Sequence, residues 1–138
     1  MVRSILGVVV GLVLWMVGFY ALAIGLSLLW PDYALHGRQW IREDLFTFTP
    51  LMACCNLALW VLAEIAAGWV AAKISKRRGA VWVLAGLVGI YLAALHLGFD
   101  WSRFPWWYNL GVVIPAVPAV LLGAHLAGLR RVPDQAMG

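Results

Sequence analysis

The stretch "TPLMACCNLALWVLAEIAAGWVAAKISKRR", Thr49 to Arg78, decides the fold. From Pro50 to Ile74 it is apolar apart from Asn56, Glu64 and Lys73, and it runs directly into the basic cluster Lys76, Arg77 and Arg78. An apolar run of about 20 residues crosses the roughly 30 Å hydrocarbon layer as a helix. Thr49-Pro50 is the entry signal, a capping hydroxyl followed by proline at the first helical position.

Outward from this stretch the pattern repeats, with further apolar runs over about 5–29, 81–97 and 110–129. The chain of 138 residues is 64% hydrophobic and 12% charged, with a mean hydropathy of +0.91. Soluble domains hold roughly 45–50% apolar and about 25% charged residues, so the composition excludes a soluble globular protein. In lipid every backbone N–H and C=O must be paired within its own segment or in a closed barrel, and period-two alternation is absent. The expected fold is therefore all-α: one transmembrane domain, an integral membrane four-helix bundle over residues 1–138.

Charge position sets the expected orientation. Arg3, Lys73, Lys76, Arg77, Arg78, Arg130 and Arg131 fall on one side of a four-span chain, with only Arg38, Arg42 and Arg103 opposite. By the positive-inside rule this is an N-in/C-in protein of the bacterial inner membrane. The net charge of +4 is spent on that asymmetry and gives no reason to expect a nucleic-acid partner. The first span is read as retained: Ala21-Leu22-Ala23 resembles a cleavage site, but the apolar run continues to Trp30, beyond the usual leader core of about 7–15 residues. "LMACC" imitates a lipidation box but lies deep in the chain. Adjacent Cys54 and Cys55 fit a mutual disulfide badly and are read as packed thiols.

Of the connections, only Pro31 to Thr49 has room for structure. Trp40, Ile41, Leu45 and Phe48 are spaced to lay an apolar side on the membrane while Arg38, Arg42 and Glu43 face water, which is the pattern of a short interfacial helix. An irregular loop is the competing reading. Phe104-Pro105 is a similar entry before the last span, a faint hint of two duplicated hairpins. The tail "RRVPDQAMG" is expected to fray.

Helices associate in lipid through close backbone approach rather than the hydrophobic effect, so small residues mark the seams. Ser4, Gly11, Gly18 and Gly25 recur every seven residues in the first span. Ala63, Ala67 and Ala71, then Ala85, Gly89 and Ala93, then Ala119, Gly123 and Ala127 mark the other three. These rows suit a tight bundle, and equally a homo-oligomer or another membrane subunit. Pro115 and Pro118 are expected to kink the last span.

Two groups of residues are candidate sites. Glu64 is the only acid within a span, about 21 Å of helix rise from Pro50. Intramembrane acids are costly and face a partner or a cavity. Two roles compete: a neutral carboxyl hydrogen-bonded to a neighbouring helix, or a coupling group for protons or substrate. Asn56 could extend its polar track outward. His125 is placed within roughly 6 Å of it in depth, so a Glu–His relay is conceivable. The second group is the outer aromatic corner of His96, Asp100, Trp101, Arg103, Trp106, Trp107 and Tyr108. Its Trp and Tyr residues, like Trp30, Tyr33 and Trp40, are first read as an interfacial belt, although "PWWY" beside Asp100 and Arg103 also suits recognition.

His96 and His125 are separated by roughly 25 Å of depth and cannot share an ion. No metal, cofactor or catalytic motif is found: there is no phosphate-binding glycine loop, nucleophile elbow or paired-cysteine site.

The segment carrying His96, Trp101, Phe104-Pro105, Trp107-Tyr108-Asn109 and the closing Leu122-Gly123 and Leu126 resembles a set of small four-span bacterial inner-membrane proteins. The likeness covers the second half of the chain well and the first half loosely. It implies the fold and the membrane, and it brings no activity. Small multidrug exporters are similarly short, four-helical and dependent on a membrane glutamate, but theirs lies in the first span and the surrounding motifs differ, so that analogy is of fold alone. The function expected from the sequence is a non-enzymatic accessory or interaction role. The alternative is a small dimeric proton-coupled transporter using Glu64; a membrane enzyme acting on lipid or quinone at the outer corner ranks third.

Overall fold

The computed structural model describes residues 1–43, 46–99 and 101–128, and over these the chain is helical with no strand. Asp44, Leu45, Asp100, Leu129, Arg130, Arg131 and the rest of the tail lie outside the described residues. The helices are α1 (Val2–Leu29), α2 (Pro31–Glu43), α3 (Pro50–Ser75), α4 (Arg78–Ala93) and α5 (Trp106–Leu126), and α4 widens into a π-helical segment over Ala94–Phe99. Four of them, α1, α3, α4 with its π extension, and α5, are long and apolar enough to cross a membrane.

Local chemistry fixes the boundaries. Pro31 lacks an N–H and disfavours helical backbone at the residue before it, and Trp30 is extended at φ −132°, which ends α1 and lets α2 start at once. Thr49 caps α3 as the sequence predicts, its hydroxyl accepting from the Met52 N–H at 3.3 Å. Lys76 ends α3 in the left-handed conformation at φ 53°, the only described residue besides Gly128 with positive φ. The turn into α4 is held by Ser75, whose hydroxyl accepts from the Arg77 N–H. Antiparallel passage brings Arg3, Lys73, Lys76, Arg77 and Arg78 to one end, hereafter the basic end. Residues 30–43, 46–49, 99 and 101–105 form the other, the aromatic end.

Two expected boundaries need correction. The last span starts at Trp106 rather than about residue 110, because the Pro105 carbonyl accepts from the N–H groups of Tyr108 and Asn109 and opens a helix directly after the proline. It then continues as helix through Pro115 and Pro118. The third span starts at Arg78 rather than about 81 and ends as a π segment rather than as plain α-helix.

α3 is the central helix, packed against α1, α4 and α5. Its small rows do what their spacing predicts: Ala63, Ala67 and Ala71 are buried, as are Ala85 of α4 and Ala119 and Gly123 of α5. The α3–α5 crossing is backbone on backbone. A Cβ added at Gly68 would lie 1.9 Å from the Val120 carbonyl oxygen, and one at Gly123 would lie 2.0 Å from that of Ile65.

The seven-residue stripe of α1 is corrected. Gly7 and Gly11 pack on Ala71, Ser75 and Ala67, whereas Gly18 and Gly25 meet nothing within 4 Å. No residue of α1 beyond Trp15 is buried. The half of α1 near the basic end is therefore seated on α3, and its other half stands away from the bundle.

Candidate functional site

A cavity of about 490 Å³ fills the space that α1 leaves. α1 contributes Phe19, Ala23, Ile24 and Ser27 to its wall, α2 contributes Tyr33, Arg38 and Trp40, and α3 contributes Asn56 and Trp60. Tyr91, Leu95 and His96 close the α4 side, and Phe104 and Tyr108 the α5 side. The volume lies within the roughly 300–1,000 Å³ usual for small-molecule sites.

The walls are flat rings. Phe19 stacks on Trp60 with centroids 3.7 Å apart, Tyr33 on Phe48 at 5.2 Å, and Phe104 on Tyr108 at 5.1 Å. Trp15 lies behind Trp60 at 5.8 Å and meets Tyr91 edge-on at 5.5 Å, closing the end nearest the bundle core.

Among these rings runs a line of hydrogen bonds. The Tyr108 hydroxyl donates to Asn56 Oδ1 at 2.7 Å, and Asn56 Nδ2 donates to the Tyr33 hydroxyl oxygen. Burial pushes the Tyr33 hydroxyl above its ordinary pKa of 10, the amide of Asn56 opposing this and Cys55 adding to it, so Tyr33 stays a neutral donor at physiological pH.

A second line fixes His96. Asn109, fully buried, donates through Nδ2 to the carbonyls of Trp101 at 3.2 Å and Phe104 at 3.3 Å. Carbonyls only accept, so the amide orientation is determined, and its Oδ1 faces His96 Nδ1 at 3.0 Å. Nδ1 must then carry a proton, and in the imidazole form Nε2 is the acceptor. The π turn is what brings His96, 5% exposed, and Leu95 together to the cavity. Such turns recur at functional sites.

At the mouth, His36 Nδ1 lies 2.8 Å from the Thr47 hydroxyl, which in turn donates to Gln39 Oε1 at 3.2 Å. These contacts fasten the segment before α3 onto α2, whose Tyr33 is buried while Ile41 is exposed.

The intramembrane group of Glu64, Asn56 and His125 is not assembled. Asn56 is engaged with the two tyrosines. Gly68 packs beside Val120 and Gly123 beside Ile65, so Glu64 is level with Pro118, and His125 is exposed about 10 Å further along α5. The expected interhelical hydrogen bond of Glu64 is also missing: the side chain is 0% exposed and neither oxygen has a partner. Among the described residues, Trp15 Nε1 is the other buried side-chain N or O atom left without one.

The outer corner divides. His96 and Tyr108 are buried at the cavity, whereas Trp106 is 65% exposed, Trp101 and Arg103 are exposed and Trp107 is half-buried. Burial therefore separates Tyr108 and Tyr33, which are taken up by the cavity, from the exposed Trp101 and Trp106. Asp100 lies outside the described residues.

Sequence reasoning missed Asn109, Trp60, Phe104 and the role of Tyr33. One signal was available: the chain has only two asparagines, both within apolar stretches, and both are buried and hydrogen-bonded. Among the described residues no three His, Cys, Asp or Glu side chains gather as a metal site. No family model, curated protein or solved structure matches the chain.

Proposed function

We propose that this is a small polytopic protein of the bacterial inner membrane, with both termini in the cytoplasm, that serves a non-enzymatic accessory role by holding an amphiphilic molecule in its cavity. The cavity carries this reading. It lies towards the aromatic end, so the positive-inside rule puts it in the outer half of the bilayer. Its rim residues Ile24, Leu28 and Ile41 are exposed, which gives an apolar molecule a route in from lipid. Its polar groups are few and set among rings, the composition of a site that orients a ligand rather than one that transforms it. On this reading α2 lies in the interface as a cover, with Arg38 at headgroup level.

The test is to fill the space. Ala23 lines the cavity, and Ala23→Trp adds an indole there. Native mass measurement of the protein released from its own membranes should find one small molecule bound to the unmodified chain and none on the folded variant. The same bound mass on both, or none on either, rules the reading out.

A second reading, a small dimeric proton-coupled transporter, is favoured by one observation: the buried Glu64 carboxyl has no hydrogen-bond partner, which is unlike a permanent assembly contact.

A further inference from the structure

We propose that the cavity selects a quinol, a hydroxylated aromatic ring on an apolar tail; this rests on the amphiphile reading and names the ligand's head. The argument is a count of donors and acceptors. Tyr108 spends its O–H on Asn56. Asn56 spends its oxygen on Tyr108 and an N–H on Tyr33. Tyr33 accepts that N–H, and its own O–H is the unspent donor at the cavity. Reversing the Asn56 amide moves the spare proton to Tyr108 and leaves the total unchanged: one hydroxyl proton is available to a ligand.

On the facing wall His96 has committed Nδ1–H to Asn109, so its remaining function is the Nε2 lone pair. Apart from Arg38, which also lines the cavity, the ring-walled part of the site thus presents one O–H donor and one nitrogen acceptor. A ligand hydroxyl satisfies both, donating to Nε2 and accepting from the tyrosine. A carbonyl or ether oxygen accepts from the tyrosine but leaves Nε2 without a donor from the ligand, which costs affinity.

Ring shape narrows the choice further. Flat faces surround these two atoms: Phe48 against Tyr33, Phe104 and Tyr108 against His96, and Phe19 against Trp60. Aromatic ligands gain from offset and edge contacts with such rings beyond the area they bury. An apolar tail leaves past Ile24 and Leu28 into lipid.

The experiment uses the full chain in lipid nanodiscs under anaerobic conditions, with three probes: a decyl benzoquinol, its quinone and its dimethyl ether. Equilibrium dialysis should show the quinol bound about tenfold or more tighter than the ether, with the quinone between them. His96→Phe should weaken the quinol to the level of the ether and leave the ether unchanged. Tyr33→Phe should weaken quinol and quinone alike. The probe series on the unmodified protein decides the matter even where a variant fails to fold. Equal binding of quinol and ether overturns the quinol assignment. So does a cavity that refuses all three probes yet holds a phospholipid that Ala23→Trp displaces; that result leaves the amphiphile reading standing. A cavity that holds neither probe nor native molecule overturns both.

Discussion

Gly68→Ala is the sharpest perturbation of the bundle. The added methyl would sit 1.9 Å from the Val120 carbonyl oxygen, where ordinary contact begins at 3.4 Å, so α3 and α5 must part by about 1.5 Å. The nearest neighbours are the O, C and Cα atoms of Val120, all backbone of a helix, so no side chain can turn aside. Dispersion is the main attraction between helices in lipid, and a gap of 0.5–1 Å already forfeits about a quarter to a half of each contact's well. Overpacking of a close-packed site costs about 1–3 kcal/mol, and a backbone clash this deep belongs at or above the upper end. Gly123→Ala, at 2.0 Å from the Ile65 oxygen, should behave alike. The two together should cost less than their sum, since one separation relieves both. Gly18→Ala and Gly25→Ala meet nothing within 4 Å and should change stability by less than about 0.5 kcal/mol. Reversible unfolding in mixed micelles, followed by circular dichroism, compares the four. A Gly68→Ala protein as stable as Gly25→Ala would refute this packing.

Thr49→Ala removes the acceptor of the Met52 N–H and should cost about 0.5–2 kcal/mol in the same unfolding measurement, with Thr49→Ser nearly neutral. Asn109→Leu leaves two backbone carbonyls and His96 Nδ1 without partners; a loss of about 3 kcal/mol or more is expected, together with a shifted His96 ring resonance in nitrogen-15 NMR. Glu64→Gln keeps a polar group of the same size but cannot titrate. If the transporter reading holds, this variant abolishes proton-coupled substrate uptake in vesicles while the protein folds; uptake equal to the unmodified protein ends that reading. For Tyr33, whose folded pKa is raised, the folded state keeps its proton longer than the unfolded chain. The resulting stability is complete below the ordinary value of 10 and falls as pH rises from there towards the folded pKa. Tyr33→Phe should flatten that alkaline decline.

The spans were legible because each is a sum over about 20 residues, and a sum tolerates local error. Their edges were legible where a residue leaves the backbone little choice, as at Thr49-Pro50. They were misread where a tertiary contact decides. Trp106 to Asn109 look like an interfacial loop until the Pro105 carbonyl starts a helix there, and that helix turns Tyr108 and Asn109 inward. Spacing found the small-residue seams of α3, α4 and α5, but periodicity along α1 carried no information about where its neighbour within the chain ends, and Gly18 and Gly25 meet nothing of their own chain within 4 Å. The candidate site shows the same limit. His96 and Tyr108 were found by type and position, and Asn56 by its polarity. That Asn56 joins Tyr33 to Tyr108, two residues 75 positions apart, depends on three helices meeting at one depth. No spacing along one chain segment encodes such a meeting. Glu64 was found for its cost in lipid, yet its neighbours could not be deduced from the segment that carries it.

The central claim is that a discrete molecule occupies the space between α1 and the rest of the bundle. A photoreactive amino acid at Leu95, which lines the cavity, compared with one at Ile90, which is 72% exposed on the same helix, measures this directly. After irradiation of intact membranes, the Leu95 adduct should be a single mass at near one per chain, and the Ile90 adducts should be the mixed phospholipids of the bilayer. Identical mixtures at both positions would contradict the account.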